Sequence, residues 1–195
     1  MKKWLIPVII IVLVALWGFN INNTAVDLQE STRKTWGDVE SAYQRRNDLI
    51  GNLVKTVQGA ADFERGTLTD VIEARAKATS TTIDPSNITP ESLEAFQQAQ
   101  NGLSSALSRL LVTVEKYPEL KANQNFLELQ SQLEGTENRI NVARDRFNET
   151  VEPYNQYVRK MPRKLITSLI GFHEMAYYKA DEGSEKAPDV EFDFK

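Results

Sequence analysis

Glu137 and Arg144 are the residues whose placement asks most of this chain. They stand two helical turns apart inside a stripe of apolar residues: Phe126, Leu129, Leu133, Ile140, Phe147, Val151 and Tyr154. Steps of three, four and seven mark one face of a helix. A charge on such a face needs a partner, because leaving it buried alone costs about 3–5 kcal/mol. A complete buried pair is often no more stabilising than an apolar substitute. The chemistry on offer is therefore alignment: polar contacts that fix the register of neighbouring helices. Arg45 and Arg46, in an earlier apolar repeat, are the candidate partners of Glu137. With Arg139 and Arg144 these residues form an expected structural polar network. The other charges around the stripes, such as Asp48, Glu134 and Asp145, read as a solvated face.

For reactive chemistry the chain is poorly equipped. It has no cysteine and one histidine, His173. A di-iron carboxylate site in a helical bundle needs a Glu-x-x-His on each of two helices, and the residue three before His173 is Ile170. A zinc site would rest on His173 and carboxylates alone. A Ser-His-Asp arrangement would also have to use His173, and no nucleophile-elbow motif accompanies it. Neither G-x-G-x-x-G nor G-x-x-x-x-G-K-[ST] occurs, so no phosphate cradle is expected. No catalytic residue, cofactor or metal ligand is expected. Acids outnumber bases, 27 to 23, with no basic patch, which argues against a nucleic-acid partner. Absence of cysteine excludes disulfides and thiol catalysis but leaves the redox compartment open.

The elements that must position the network are helices. Trp36, Val39, Tyr43, Ile50, Leu53, Val54 and Val57 keep helical spacing, and Leu68, Val71, Ile72 and Ala76 resume it after Gly59 and Gly66. This predicts one long helix, or two in line, ending near Thr79, with the glycines as bends, the preferred reading, or as close-approach points for a neighbouring helix. Ser80 to Pro90 is a loop by its threonines, prolines, Asp84, Ser86 and Asn87. Thr89-Pro90-Glu91 then reads as N-cap, first-turn proline and first-turn acid. The second helix ends at Tyr117-Pro118, and the short Pro118–Asn123 connection predicts an antiparallel third helix, Asn123 to Tyr157. Pro153 should kink or end that helix, and Met161-Pro162 is a further boundary. Leu165, Ile166, Leu169 and Ile170 then predict a short terminal helix closed by Gly171. Two roles are open to it. It packs on the bundle, the preferred reading, or it lies on a membrane with Arg159, Lys160, Arg163 and Lys164 at lipid phosphates.

Residues 1–23 read as a membrane anchor. After Lys2 and Lys3 no charge occurs until Asp27, and Trp4 to Ile21 is interrupted only by Pro7, Gly18 and Asn20. That approaches the ~20 residues needed to cross a ~30 Å hydrocarbon core. Bulky residues fill the end of the run, where a signal peptidase needs small ones, so an uncleaved anchor is favoured over a signal peptide. Trp4 and Trp17 suit the interfacial belt, and the two lysines place the N-terminus in the cytoplasm and the body outside. Residues 24–179 form the helical body and 180–195 an acidic tail. In the tail Val190, Phe192 and Phe194 alternate with Glu191 and Asp193, fitting either a disordered end or an extended segment added to a neighbouring surface.

Several blocks resemble the LemA family. Arg45-Arg-Asn-Asp-Leu-Ile-Gly-Asn-Leu-Val resembles its R-R-x-D-L-I-P-N-L-V motif, and Glu73-Ala-Arg-Ala its E-A-R-A segment. Tyr117-Pro-Glu-Leu-Lys-Ala-Asn, Leu133-Glu-Gly-Thr-Glu-Asn-Arg-Ile, Ala143-Arg144, Tyr154-Asn155 and Pro188-Asp-Val-Glu-Phe complete the likeness. Asn47 stands where that pattern often has an aromatic, and Gly51 where it usually has proline. The resemblance implies a bacterial, membrane-anchored helical bundle with no established enzyme activity. It also implies gene neighbourhoods with membrane metalloproteases and a branch that shapes magnetosome membranes. The expected architecture is all-α: a transmembrane helix, an antiparallel bundle of long helices, a short terminal helix and an extended tail. The expected function is a non-enzymatic scaffold of the cell envelope, a homo-oligomer tethered to membrane lipid. The alternative is a regulatory partner or adaptor of an envelope metalloprotease.

Overall fold

The computed structural model describes residues 5–59 and 64–179. Every regular element among them is a helix: α1 (Leu5–Gln58), α2 (Arg65–Ser80), α3 (Pro90–Val114), α4 (Pro118–Lys121), α5 (Gln124–Arg159) and α6 (Arg163–Leu169). Lys2, Lys3, Trp4 and the tail 180–195 lie outside the described residues.

The 54 residues of α1 form one unbroken helix. Pro7 falls in its first turn, where the missing N–H has no helical acceptor to serve. From Ile6 to Phe19 the large apolar side chains are exposed; from Ile21 onward one face is buried. α1 and α5 run in opposite directions: Ile21 meets Tyr157, Thr35 meets Thr150, Tyr43 meets Arg144 and Arg46 meets Glu137.

The second half of the first apolar repeat is not in line with the first. Arg75 Nε donates to the Asn47 carbonyl at 2.8 Å. In a straight helix those residues would be about 42 Å apart. α2 therefore turns back along α1, and Leu68 and Val71 join Leu53 and Val57 in one core. Both faces have helical period, so periodicity alone could not distinguish a continuation from a hairpin. Gly59 and Gly66, poor helix formers, flank the reversal.

α3 starts as its cap chemistry requires. Thr89 Oγ1 accepts from the Ser92 amide at 3.2 Å, and Ser92 Oγ accepts from the Thr89 amide at 3.1 Å. The connection after Tyr117 is itself one helical turn, α4. Asn123 caps α5 by accepting from Asn125 and Phe126. Pro153 does not end α5. The helix continues to Arg159 because Tyr154, Asn155 and Val158 beyond the proline are buried, while Pro153 faces out. Its missing N–H leaves the Glu149 carbonyl without a helical donor, which the packing of that last turn offsets.

The apolar interior falls into two clusters. The far one joins α1 from Leu49 onward with α2, α4, the second half of α3 and the first turns of α5. The near one centres on Trp36, Phe96 and Phe147 and is closed by an extended strap, residues 172–179. Asn155 Nδ2 donates to the Met175 carbonyl at 2.8 Å and its Oδ1 accepts from the Met175 amide at 2.9 Å. Asn148 does the same for Tyr178, at 3.0 and 2.9 Å. Seven helical residues rise about 10.5 Å, close to the ~10 Å of three extended residues, so the two asparagines match the strap's repeat.

Candidate functional site

Between the two apolar clusters lies a polar layer. Its centre is Arg46, 5% exposed although permanently charged. The neighbouring turn of α1 supplies Tyr43, whose ring lies 5.0 Å from the guanidinium. α3 supplies Gln100 and Ser104: Arg46 Nη2 donates to Gln100 Oε1 at 2.6 Å, and Nη1 donates to Ser104 Oγ at 3.1 Å. α2 contributes a carbonyl, since Gln100 Nε2 donates to Ala78 O at 3.3 Å. α5 contributes Glu137, 3.5 Å from Arg46 Nη1. Arg46 on α1 thus meets α3 and α5 directly and α2 through Gln100.

Burial disfavours the charged form of Arg46 and pulls its pKa below the ordinary arginine value; Tyr43 and Glu137 oppose the shift. Even lowered, a guanidinium stays protonated at neutral pH. Burial likewise raises the Tyr43 phenol, against the pull of Arg144 and Arg46, so Tyr43 keeps its proton. One level closer to the N-terminus of α1, Arg144 Nε donates to Tyr43 Oη at 3.0 Å and its guanidinium lies 5.1 Å from the Tyr178 ring centre. Burial first, and then Tyr43, raises the Tyr178 pKa. These are contacts of positioned, proton-retaining groups: they align helices and hold the strap.

Of the residues singled out in the sequence, Arg46, Glu137 and Arg144 lie in this layer. Arg45 and Arg139 do not: both are exposed, at the rim of an open cleft beside Tyr43, Asn47, Ala78 and Gln100. Glu137 is also not a buried charge. Its side chain is 55% exposed, and the buried row on α5 runs through Thr136 and Ala143. Those two are small, so α1 approaches there and the long side chains of Glu137 and Arg144 ride on its flank. Gln100 went unrecognised, although its steps from Phe96 and to Leu103 put it on an apolar stripe.

Gly51 is a close-approach point. A Cβ there would stand 3.2 Å from the Arg75 guanidinium, which leans over the α1 backbone to reach the Asn47 carbonyl. A proline at 51, as the resembled pattern carries, would remove the helical N–H donor to that same carbonyl.

The cleft's inner wall carries Gln100, whose amide is bonded to Arg46 and Ala78, and Asn47, whose buried Oδ1 has no hydrogen-bond partner among the described residues; neither amide shuttles protons. Among the described residues no three His, Asp or Glu side chains are grouped to hold a metal ion. His173 is exposed, and it is its carbonyl that is used, accepting from Tyr154 Oη at 2.8 Å.

A second feature lies outside the body. Among the described residues α1 is the one helix long and apolar enough to cross a membrane, and 6% of its most apolar window is buried.

A profile of the LemA family matches residues 35–192. Magnetosome protein MamQ 2 of Paramagnetospirillum magneticum is 26% identical over 174 residues, covering 80% of this chain and 64% of the relative. Magnetosome protein MamQ of Magnetospirillum gryphiswaldense is 25% identical over 173 residues, with the same coverage. Protein LemA of Metamycoplasma hominis is 21% identical over 144 residues, covering 74% of this chain and 62% of the relative. The chain therefore spans just under two thirds of these relatives' lengths.

Proposed function

The chain belongs to the LemA family, and from that premise we propose that it is a membrane-tethered, non-enzymatic scaffold of the bacterial cell envelope. The observation that carries the proposal is α1: one helix is lipid-like on its surface at one end and the central core element of the body at the other. Such a helix transmits orientation. A body continuous with its anchor is held at a fixed height and tilt above the bilayer, which a flexible linker would not achieve. The polar layer serves the same end by fixing the alignment of the helices around α1. The body's long, continuous helices suit side-by-side self-association, and a row of such bodies would organise the membrane beneath it. The names of the magnetosome relatives accord with a role at a membrane-bounded structure. Lys2 and Lys3 favour a cytoplasmic N-terminus at the inner membrane and a body outside it.

The test is light scattering of the full-length chain in detergent over a range of concentrations. Assemblies that grow with concentration are expected; monomers throughout would contradict self-association. A pull-down with the anchor retained separates the roles. A scaffold recovers chiefly itself, whereas an adaptor recovers an envelope metalloprotease.

A further inference from the structure

α6 is short, and the structure leaves its apolar face uncovered. Thr167 is buried, donating to the Val158 carbonyl at 3.0 Å, and Ile166 is half-buried. Met161, Leu165 and Leu169 are 66%, 66% and 86% exposed, and Ile170 is exposed beside them. The terminal helix therefore packs on the bundle, as preferred from the sequence, but through one edge only, with its leucines exposed.

Its position explains the exposure. α6 packs on the last turn of α5 and against α1. Arg163 lies 4.4 Å from the Tyr157 ring centre, and Tyr157 Oη reaches the Ile21 carbonyl at 3.5 Å. This end of the body thus begins two residues past Phe19, the last exposed large apolar residue of the anchor. From Ile6 to Phe19 the helix rises about 20 Å, short of the ~30 Å hydrocarbon core. Spanning the remainder brings Ile21 and its neighbours down to the lipid boundary. There Lys160 and Lys164 are exposed beside the leucines in the chain, while Arg163 lies over the Tyr157 ring and Glu174 opposes Arg159 at 3.9 Å. Apolar side chains beside cations are the pattern of an element that lies in a bilayer interface.

We infer that α6 and the Met161 turn form an interfacial foot: Leu165, Leu169 and Met161 enter the headgroup–acyl boundary, and the neighbouring basic residues bind anionic lipid phosphates. The foot gives the body a second point of contact beside the anchor and so fixes its tilt. The inference rests on the proposal that α1 spans the bilayer, and its test keeps the two apart.

The chain has no cysteine, so single cysteines label cleanly. Nitroxide labels are placed separately at Leu13→Cys, Leu169→Cys and Val112→Cys in full-length protein in nanodiscs containing phosphatidylglycerol. All three positions are exposed, so the fold is retained. The expected result is deep lipid burial at 13, shallow burial shielded from an aqueous nickel chelate at 169, and full nickel access at 112. Position 169 as open to nickel as 112, with 13 in lipid, overturns the foot and leaves the anchor standing. Position 13 open to water overturns both. The pair Lys160→Glu and Lys164→Glu should raise nickel access at 169 in anionic discs and leave it unchanged in neutral ones. A lysine near an anionic surface is worth about fivefold in residence there. No change in anionic discs would overturn the role of the basic residues.

Discussion

The two ends of α1 are both apolar, and they use that property in opposite ways. From Ile6 to Phe19 it faces outward in every direction, with Phe19 68% exposed. From Ile21 to Val57 it is gathered on one face, Val26 excepted, and there Trp36, Val39, Ile50, Leu53 and Val57 are wholly buried. The first pattern suits a surrounding apolar solvent; the second suits water on one side and partner helices on the other. No loop separates them, and α1 runs unbroken through Gly18 at their junction. The anchor and the body should therefore fail independently when their own contacts are damaged, yet move together mechanically.

Trp36→Ala should have the largest effect. Its indole packs edge-on to Phe96 and Phe147, at 5.6 and 5.3 Å, and stacks on Tyr178 at 6.1 Å. A loss of about 3–5 kcal/mol in body stability is expected by chemical denaturation. Fractionation should find the chain as firmly in membranes as before. Leu13→Arg should do the reverse. A central arginine opposes insertion by about 2.5–3.5 kcal/mol. The membrane-bound fraction should fall, while the melting transition of the body stays in place. A common response of both properties to either substitution would erase the distinction between the two ends.

Smaller effects sharpen the account of the body. Burial pushes the Tyr154 phenol up from 10.0 to about 12. Its contribution is fully present below pH 10 and is lost as the pH rises through about 12, because a phenolate cannot donate to the His173 carbonyl. Tyr154→Phe should cost about 1 kcal/mol at neutral pH and flatten the alkaline fall in melting temperature. Tyr43 and Tyr178, also raised, leave part of that fall in place. Glu137→Gln should change stability least, by under about 1 kcal/mol, because its carboxylate is half in water and the amide still accepts from Arg46.

What the sequence made legible follows from this division. The exposed apolar end of α1 could be seen because an uncharged run that is apolar on every face leaves no side for water. The Thr89 cap and the loop before it were legible because capping is local chemistry. The direction of α2 was not, since a helical stripe does not say which neighbour covers it. On α5 the row Phe126, Leu133, Ile140, Phe147 and Tyr154 was correctly placed, and all five are buried. Which flank joined them was obscured, because the buried flank at mid-helix is made of Thr136 and Ala143, small residues that leave little apolar signal. The strap escaped notice because backbone groups held by Asn148 and Asn155 need no pattern in the strap itself. Of the two effects open to Pro153, a kink or an end, the end does not occur, because three buried residues beyond it offset one missing hydrogen bond.

The continuity of α1 is the claim on which the rest depends, and a distance measures it. Spin labels at Leu13→Cys and Ser41→Cys, in full-length protein in nanodiscs, sit in the exposed parts of its two halves. A straight helix separates their backbones by about 42 Å along its axis. The expected result from pulsed dipolar spectroscopy is a single narrow distribution near that value, unchanged between detergent and bilayer. A broad distribution, or one centred well below it, would mean a hinge at the membrane boundary and would contradict a rigidly held body.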